Sequence, residues 1–555
     1  MKKSNIILIL CTLVALVLAL AACNRDDGGG SPVAPGTPAA TPGGTPGTPG
    51  TPDTPGTPEA AQPRDIVRIE WLAGHGTQPI PDDDPVIAWL NETFDVEIVP
   101  WFLERANYIE LLTLRITGGE IPDLWMMPDT SSFAMFVNQG VIMELPIPTI
   151  RELMPNSYAW LMEIEPRAFD IVTFEGRNYG LPRINLDGLY NFAPFWRQDW
   201  LISAGFEPGV APRTLDEFET AFRHFRHGDP DGDGLTNTFA LSNMGMNPIF
   251  GAFGALPDVW VEDGAGNLIY GAVHPGMRDA LELLARWYAE GLIDPEFITG
   301  ENQGGNWAWS VPFESGHIGF SSSGAFYHIN PMFFRPDGSM HSNYGRTIRY
   351  LDQVQAGYYE DVILIGYNPI GPNGHHGNIL WTVTGGDSIV FGHHLANEPA
   401  RLARIMEVLD AINADYDTWW TVRQWDLQRY MYDHIPGLGY IPHEGHTRVS
   451  PAGHANMFNS LQNPFFAARF REYLYGWVDT KPMFRTGGHA NRLMIVTDSM
   501  PRYWASLETF RLVSYMQIIR GEHPIEFFDN FVTQWNAMGG ATITNEANAW
   551  FAGIR

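Results

Sequence analysis

Gly118-Gly119-Glu120-Ile121-Pro122-Asp123-Leu124-Trp125-Met126-Met127 is the stretch whose reading decides the fold. The glycine pair stops a helical pattern over Glu104 to Ile116, and the apolar run that follows reads as a short buried strand. Upstream, Val67, Ile69 and Trp71 alternate with Arg68 and Glu70, which predicts a first strand. Asp84 and Pro85 open a helix through Phe94, and a second strand is expected around Val96 to Val99. Strands and helices alternating at this spacing predict an α/β layer with mostly parallel strands. Two downstream segments agree. Thr214 with Glu217 three residues on is a capping box. Leu281, Leu284, Ala285 and Tyr288 fall at helical spacing, with Gly291 placed to end that helix.

The start of the chain has a different character. Lys2 and Lys3 precede an apolar run from Ile6 to Leu20, and Leu20-Ala21-Ala22-Cys23 follows. A basic start, a short apolar core and small residues before a cut site describe an export signal rather than a membrane span. The Cys directly after the small residues resembles a bacterial lipobox, which places a cut before Cys23 and acyl chains on it. Two or more acyl chains hold a protein durably at a bilayer. Residues 1–22 are therefore read as signal peptide and 23–64 as the lipidated Cys followed by a disordered linker. That linker consists of repeated Thr-Pro-Gly units through Thr57-Pro58, which cannot bury apolar area. A Gly-type coil of such length averages roughly 35 Å end to end.

Composition narrows the function classes. The 555 residues include 19 Trp and 45% hydrophobic residues, enough for two or three domains with real cores. Cys11 leaves with the signal and Cys23 is the lipid site, so no disulfide, thiolate metal site or Cys nucleophile is expected in the body. A formal net charge of −29 argues against nucleic acid or any other polyanion as ligand.

Several motifs, in order, carry a family resemblance. Gly119 to Leu124 with Gly140-Val141-Ile142-Met143-Glu144-Leu145 is similar to the signature of the family 1 extracellular solute-binding proteins, the maltose-binding-like lipoproteins of ABC importers. Tyr179-Gly180-Leu181-Pro182, Arg197 to Leu201, Pro212 to Glu217, Tyr288 to Asp294 and Gly316 to Phe320 continue it. The tail from Ile519-Arg520-Gly521 through Trp535, Gly539-Gly540 and Glu546 resembles the larger branch that handles complex saccharides. The resemblance runs from about residue 66 to the end.

It implies a two-lobed, periplasmic-binding-protein-like α/β fold with a hinge. The expected lobes are 65–190 plus 317–405 and 191–316 plus 406–555, with crossings near 185–195, 312–325 and 400–415. It further implies a non-catalytic monomer on the outer face of the cell membrane. That monomer would deliver an oligosaccharide to membrane permease subunits.

The sharpest local motif is Asp229-Pro230-Asp231-Gly232-Asp233-Gly234-Leu235-Thr236-Asn237. Oxygen donors at alternating positions (Asp229, Asp231, Asp233, the Leu235 carbonyl, the Asn237 side chain) with Gly at the sixth are what a Ca2+ loop needs. Position twelve is Ala240, so the bidentate carboxylate of an EF-hand is missing. In the resembling saccharide-binding lipoproteins a similar loop binds Ca2+, commonly with an acidic residue where this chain has Thr238. The expected cofactor is a structural Ca2+.

Sugars present apolar CH faces and rings of hydroxyls, so their sites combine flat aromatics with fixed polar groups. The resemblance points to Asp129 and Thr130 after the 121–127 strand, to Asn247 and Phe250, and to Phe326 and Tyr327. Trp71, Asp187 and Trp381 are further candidates. His375-His376, His393-His394 and His443-Glu444-Gly445-His446 lack the spacing of a helical zinc motif, and Ser321-Ser322-Ser323 lacks the frame of a nucleophile elbow. Carboxylate pairs for glycoside hydrolysis are defined by spatial separation, which leaves a cell-surface polysaccharide-degrading enzyme as the alternative. A peptide-binding or sensor lipoprotein is the third.

Overall fold

The computed structural model describes residues 64–72, 79–104, 107–127, 130–183, 192–298, 310–323, 328, 362–380, 388–424, 432–435, 439–442, 483 and 486–554. The chain divides into Met1–Pro63 and Arg64–Arg555. The first unit, with Cys23, lies outside the described residues.

Two sheets organise the second unit. The strands in chain order are β1 (Val67–Leu72), β2 (Val96–Trp101), β3 (Leu124–Met127), β4 (Leu181–Pro182), β5 (Phe195–Arg197), β6 (Phe320–Ser321), β7 (Ile363–Ile365) and β8 (Ser388–Phe391). The first sheet has the order β2-β1-β3-β8-β4 and the second β6-β5-β7. In the first, β1 runs parallel to β2 and β3, and β8 runs antiparallel to both β3 and β4. All four residues of β3 are buried, as the apolar run predicts.

The helices that matter here are α1 (Pro85–Phe94), α2 (Tyr108–Thr117), α3 (Thr130–Asn138), α4 (Pro155–Ile164), α5 (Leu215–His227), α6 (Asn247–Gly251), α7 (Gly276–Ala289), α8 (Pro399–Ala414) and α9 (Met500–Ile519). Asp84 starts α1 by accepting the amides of Val86 and Ile87 at 2.9 and 3.0 Å, with Pro85 in the first turn. Val86, Ile87, Leu90 and Phe94 then fall on one buried face. Helix α2 ends at Gly118, and Gly119 takes the left-handed φ of +88° that turns the chain into β3.

Asp123, 1% exposed, locks this part of the first lobe together. Its carboxylate accepts the Glu70 amide of β1 at 2.7 Å and Arg401 of α8 at 2.5 Å, and meets His394 at 2.7 Å. Its backbone pairs with Glu70 and Gly392. One buried carboxylate thus joins β1, the segment after β8, and α8.

In the second lobe Trp196 of β5 packs against Phe218, Phe222 and Phe320, with ring centroids 4.6, 5.7 and 4.5 Å away. Helix α5 supplies Phe218, Phe222 and Phe225 from one face. Its amino end carries the expected capping box, with Thr214 and Glu217 bonding reciprocally. Thr214→Ala is expected to cost about 1 kcal/mol in a denaturant titration.

Glu219 joins α5 to α7. It accepts Arg286 at 2.8 and 2.6 Å, pairs with Arg223, and takes the Trp287 indole N–H at 2.9 Å. The hydrogen bonds from Arg286, then that from Trp287, push its carboxyl from 4.5 down to about 2. A depressed folded value stabilises the fold above the unfolded value and is lost on acidification. We therefore expect Glu219→Gln to lower stability by about 2 kcal/mol at pH 7. That difference should vanish as pH falls from 4.5 through about 2.

The strand pairing corrects the expected lobe boundaries. Strand β4, ending at Pro182, belongs to one sheet and β5, starting at Phe195, to the other. Strands β6 and β7, however, both pair with β5, whereas the expected bounds put Phe320–Ser321 and Ile363–Ile365 in the first lobe. Asn378 and Ile379 pair with Gly488 and His489, and the Asn378 side chain donates to the Phe192 carbonyl at 2.8 Å. The chain returns to the first sheet between 379 and 388 rather than near 312–325. The third boundary also moves. Helix α8 runs unbroken through 405–406 and packs on β1 and α4, where Asp410 accepts the Ser157 amide at 2.7 Å and the Asn156 side chain at 3.0 Å. Pairings of this kind join residues hundreds of positions apart, beyond the reach of local pattern.

Candidate functional site

Strands β1, β3 and β4 point the same way, and β8 enters at the edge where they leave, since Ser388 pairs with both Met127 and Pro182. This carboxyl edge is where open α/β sheets place their ligands. Trp71 lies near the end of β1, and Thr130 opens α3 just after β3. Asp129, Asp187, Phe326, Tyr327 and Trp381 lie outside the described residues.

Two candidates move to the core. Trp71 is 3% exposed and packs in the hydrophobic interior of the first lobe. Phe250 is 5% exposed, with its ring 6.5 Å from Tyr515. A ring whose faces are already covered has none to offer a sugar. Asn247 is half-buried at the start of α6.

Helix α6 is held by backbone-to-backbone packing. A Cβ on Gly251 would stand 2.0 Å from the Gly377 carbonyl oxygen, and one on Gly371 would stand 1.7 Å from that of Ala252. These contacts require glycine because the opposing atoms are main chain.

The acidic loop follows α5 directly. Ligand oxygens of Asp229, Asp231 and Asp233 lie within 4.8 Å of one another on the surface, the only such grouping of three or more metal-ligating side chains among the described residues. Asp229, Gly232 and Gly234 all have positive φ, which curls the loop back on itself. Asp229 accepts the Gly234 amide, and Asp233 accepts the Leu235 amide at 2.7 Å and the Asn237 side chain at 2.9 Å. The Asp231 carboxyl is held above its ordinary range by loss of surrounding water and by the Asp233 charge beside it. All-oxygen donors with three carboxylates fit a hard divalent cation such as Ca2+. Leu235, 59% exposed, can contribute only its carbonyl.

Thr238 has another task than filling in for an acid. It is 2% exposed, and its hydroxyl donates to the Phe225 carbonyl at 2.6 Å, satisfying the end of α5. Arg226 in the last turn of α5 donates to the carbonyls of Thr236 and Thr238 at 2.8 and 3.2 Å, and its guanidinium lies 4.5 Å over the Phe239 ring. Sequence reading missed this clasp; the only local signal was a basic residue three positions before the loop.

Several partly buried polar contacts in the second lobe were also invisible to motif reading. Arg511 of α9 joins Glu508 at 2.8 Å and Asp258 at 2.7 Å, while Tyr270 donates to Glu508 at 2.9 Å. Burial raises the Glu508 carboxyl. Glu546 accepts the Ser499 amide at 3.0 Å and the Ser499 hydroxyl at 2.6 Å, which caps α9 from the tail.

This architecture is that of the two-lobed solute-binding proteins. Alginate-binding protein AlgQ2, solved without calcium ion, matches with a TM-score of 0.63 at 14% identity, over 88% of this chain and 98% of that one. The S. pneumoniae substrate-binding protein FusA, as an EF-hand mutant in complex with fructo-nystose, matches at 0.64 and 16% identity, over 88% and 99%. No family model matches the chain.

Sequence relatives narrow the likeness. Lipoprotein LipO of Bacillus subtilis is 25% identical over 248 residues, 43% of this chain and 46% of its own length. The fructooligosaccharide ABC transporter substrate-binding protein FusA of Streptococcus pneumoniae is 24% identical over 285 residues, 47% of this chain and 52% of its own. The chain thus spans about half the length of the curated relatives it matches. These likenesses bear out the resemblance to the family 1 extracellular solute-binding proteins. Among the described residues no helix is long and apolar enough to cross a membrane.

Proposed function

We propose that this chain is the extracytoplasmic solute-binding component of an ABC importer, which captures an oligosaccharide, releases it unchanged and acts as a monomer. The observation that carries this reading is the pair of α/β lobes built from discontinuous segments, with the first sheet's carboxyl edge gathered where β1, β3, β4 and β8 meet. Chain crossings between such lobes supply a hinge, and closure around a ligand buries it. On the strand pairing, we assign the described residues of 64–183 and 388–424 to the first lobe and the described residues of 192–379 and 486–554 to the second.

Acylated Cys23 holds the body at the outer face of the cell membrane, where permease subunits receive the sugar. The ligand candidates are Thr130 after β3 and Asn247 at the start of α6, with Asp129, Asp187, Phe326, Tyr327 and Trp381 carried over from the family resemblance. Relatives named as substrate-binding proteins support binding without catalysis.

The 229–237 loop holds a Ca2+ through Asp229, Asp231, Asp233, the Leu235 carbonyl and Asn237. Calcium at ten times the dissociation constant should stabilise the fold by about 1.4 kcal/mol. The expected result is a higher melting temperature with Ca2+ than with EDTA, and loss of that difference in Asp231→Ala. An unchanged melting temperature in the wild-type chain would remove the cation from the account. For the sugar, the test is a melting-temperature screen with neutral oligosaccharides, kestose included, followed by chromatography of the recovered sugar.

A further inference from the structure

The chain leaving the acidic loop does not end in solvent. It becomes the internal seam of the second lobe. The Phe239 amide donates to the His317 carbonyl at 2.9 Å, and the Phe239 carbonyl accepts the Gly319 amide at 3.1 Å. Ala240 donates to Leu292 at 2.9 Å and accepts from Phe320 at 2.9 Å, and Leu241 accepts the Asp294 amide at 3.0 Å. Three residues on, the Met244 carbonyl takes both the amide and the hydroxyl of Ser322, at 3.2 and 2.6 Å. This seam therefore borders Asn247 at the start of α6 on one side and β6 on the other.

We propose that cation occupancy of the 229–237 loop sets the order of this seam, so that cation binding and protection of the second lobe's interior are thermodynamically linked. The inference rests on the reading of the loop as a cation site. Three carboxylates within 4.8 Å repel one another when no cation stands between them, which favours local opening. An opened loop withdraws the Thr236 and Thr238 carbonyls from Arg226 and the Thr238 hydroxyl from Phe225. Those bonds fix residue 238, and the seam begins at 239. Arg226 is the positioning residue of this device: it touches the loop exit and the Phe239 ring but supplies no cation donor.

Amide hydrogen exchange on the full chain, with Ca2+ alone against EDTA, tests the proposal. The expected result is exchange slowed about tenfold at Phe239, Ala240, Gly319, Phe320 and Ser322 as well as within 229–237. In Arg226→Gln, Ca2+ should still protect the loop while protection beyond residue 238 largely disappears. Protection confined to 229–237 in the wild-type chain would overturn the linkage and leave the cation reading standing. Exchange unaltered everywhere would overturn both. Equal protection of the seam in wild type and Arg226→Gln would overturn the role given to Arg226.

Discussion

Asp123→Ala is expected to lower the stability of the first lobe by about 3 kcal/mol. The carboxylate is 1% exposed and is shared by Arg401, His394 and the Glu70 amide. Removing it leaves the Arg401 guanidinium with only its 3.2 Å contact to Glu398 and a backbone N–H of β1 without that acceptor. Asp123→Asn keeps one acceptor oxygen and should lose less. Urea titration, with amide exchange read at β1 and β8, gives the value and its location. A loss under about 0.5 kcal/mol would show that the network carries little of the first lobe's stability.

Gly251→Ala has the second largest expected effect, and it bears on the site. The new methyl would meet the Gly377 carbonyl carbon and oxygen at 2.6 and 2.0 Å, and neither atom belongs to a side chain that can swing away. Either the fold loses about 3 kcal/mol or α6 is pushed off the 371–378 loop, carrying Asn247 with it. Gly371→Ala strains the same contact from the other side, 1.7 Å from the Ala252 oxygen. Thermal denaturation reads the first outcome and sugar affinity the second. A variant matching wild type in both would remove the role assigned to this backbone contact.

The sequence made the locally determined parts legible. Alternation marked β1, Asp84 with Pro85 marked the start of α1, and Thr214 with Glu217 marked the start of α5. Each of these rests on interactions within a few residues. The spacing of Asp229, Asp231 and Asp233 likewise predicted side chains that the structure does bring together.

What failed was long-range or depended on burial. Nothing near Phe320 or Ile363 says that both strands will pair with Phe195–Arg197. The partners of Asp123 lie 271 and 278 positions away. Trp71 and Phe250 have the residue type that a sugar platform needs, but only packing reveals that the interior has already used them. Thr238 looked like a missing acid beside the cation loop and is instead the cap that closes α5.

The central claim is that this molecule grips a saccharide and lets it go intact. The most direct measurement is calorimetric titration of the full chain with a panel of neutral oligosaccharides, with the sugar recovered and analysed afterwards. The account predicts saturable binding of one oligosaccharide class at one site per chain, with the sugar returned at its original length. Shortened sugar in the recovered sample, or heats of dilution alone across the panel, would contradict it.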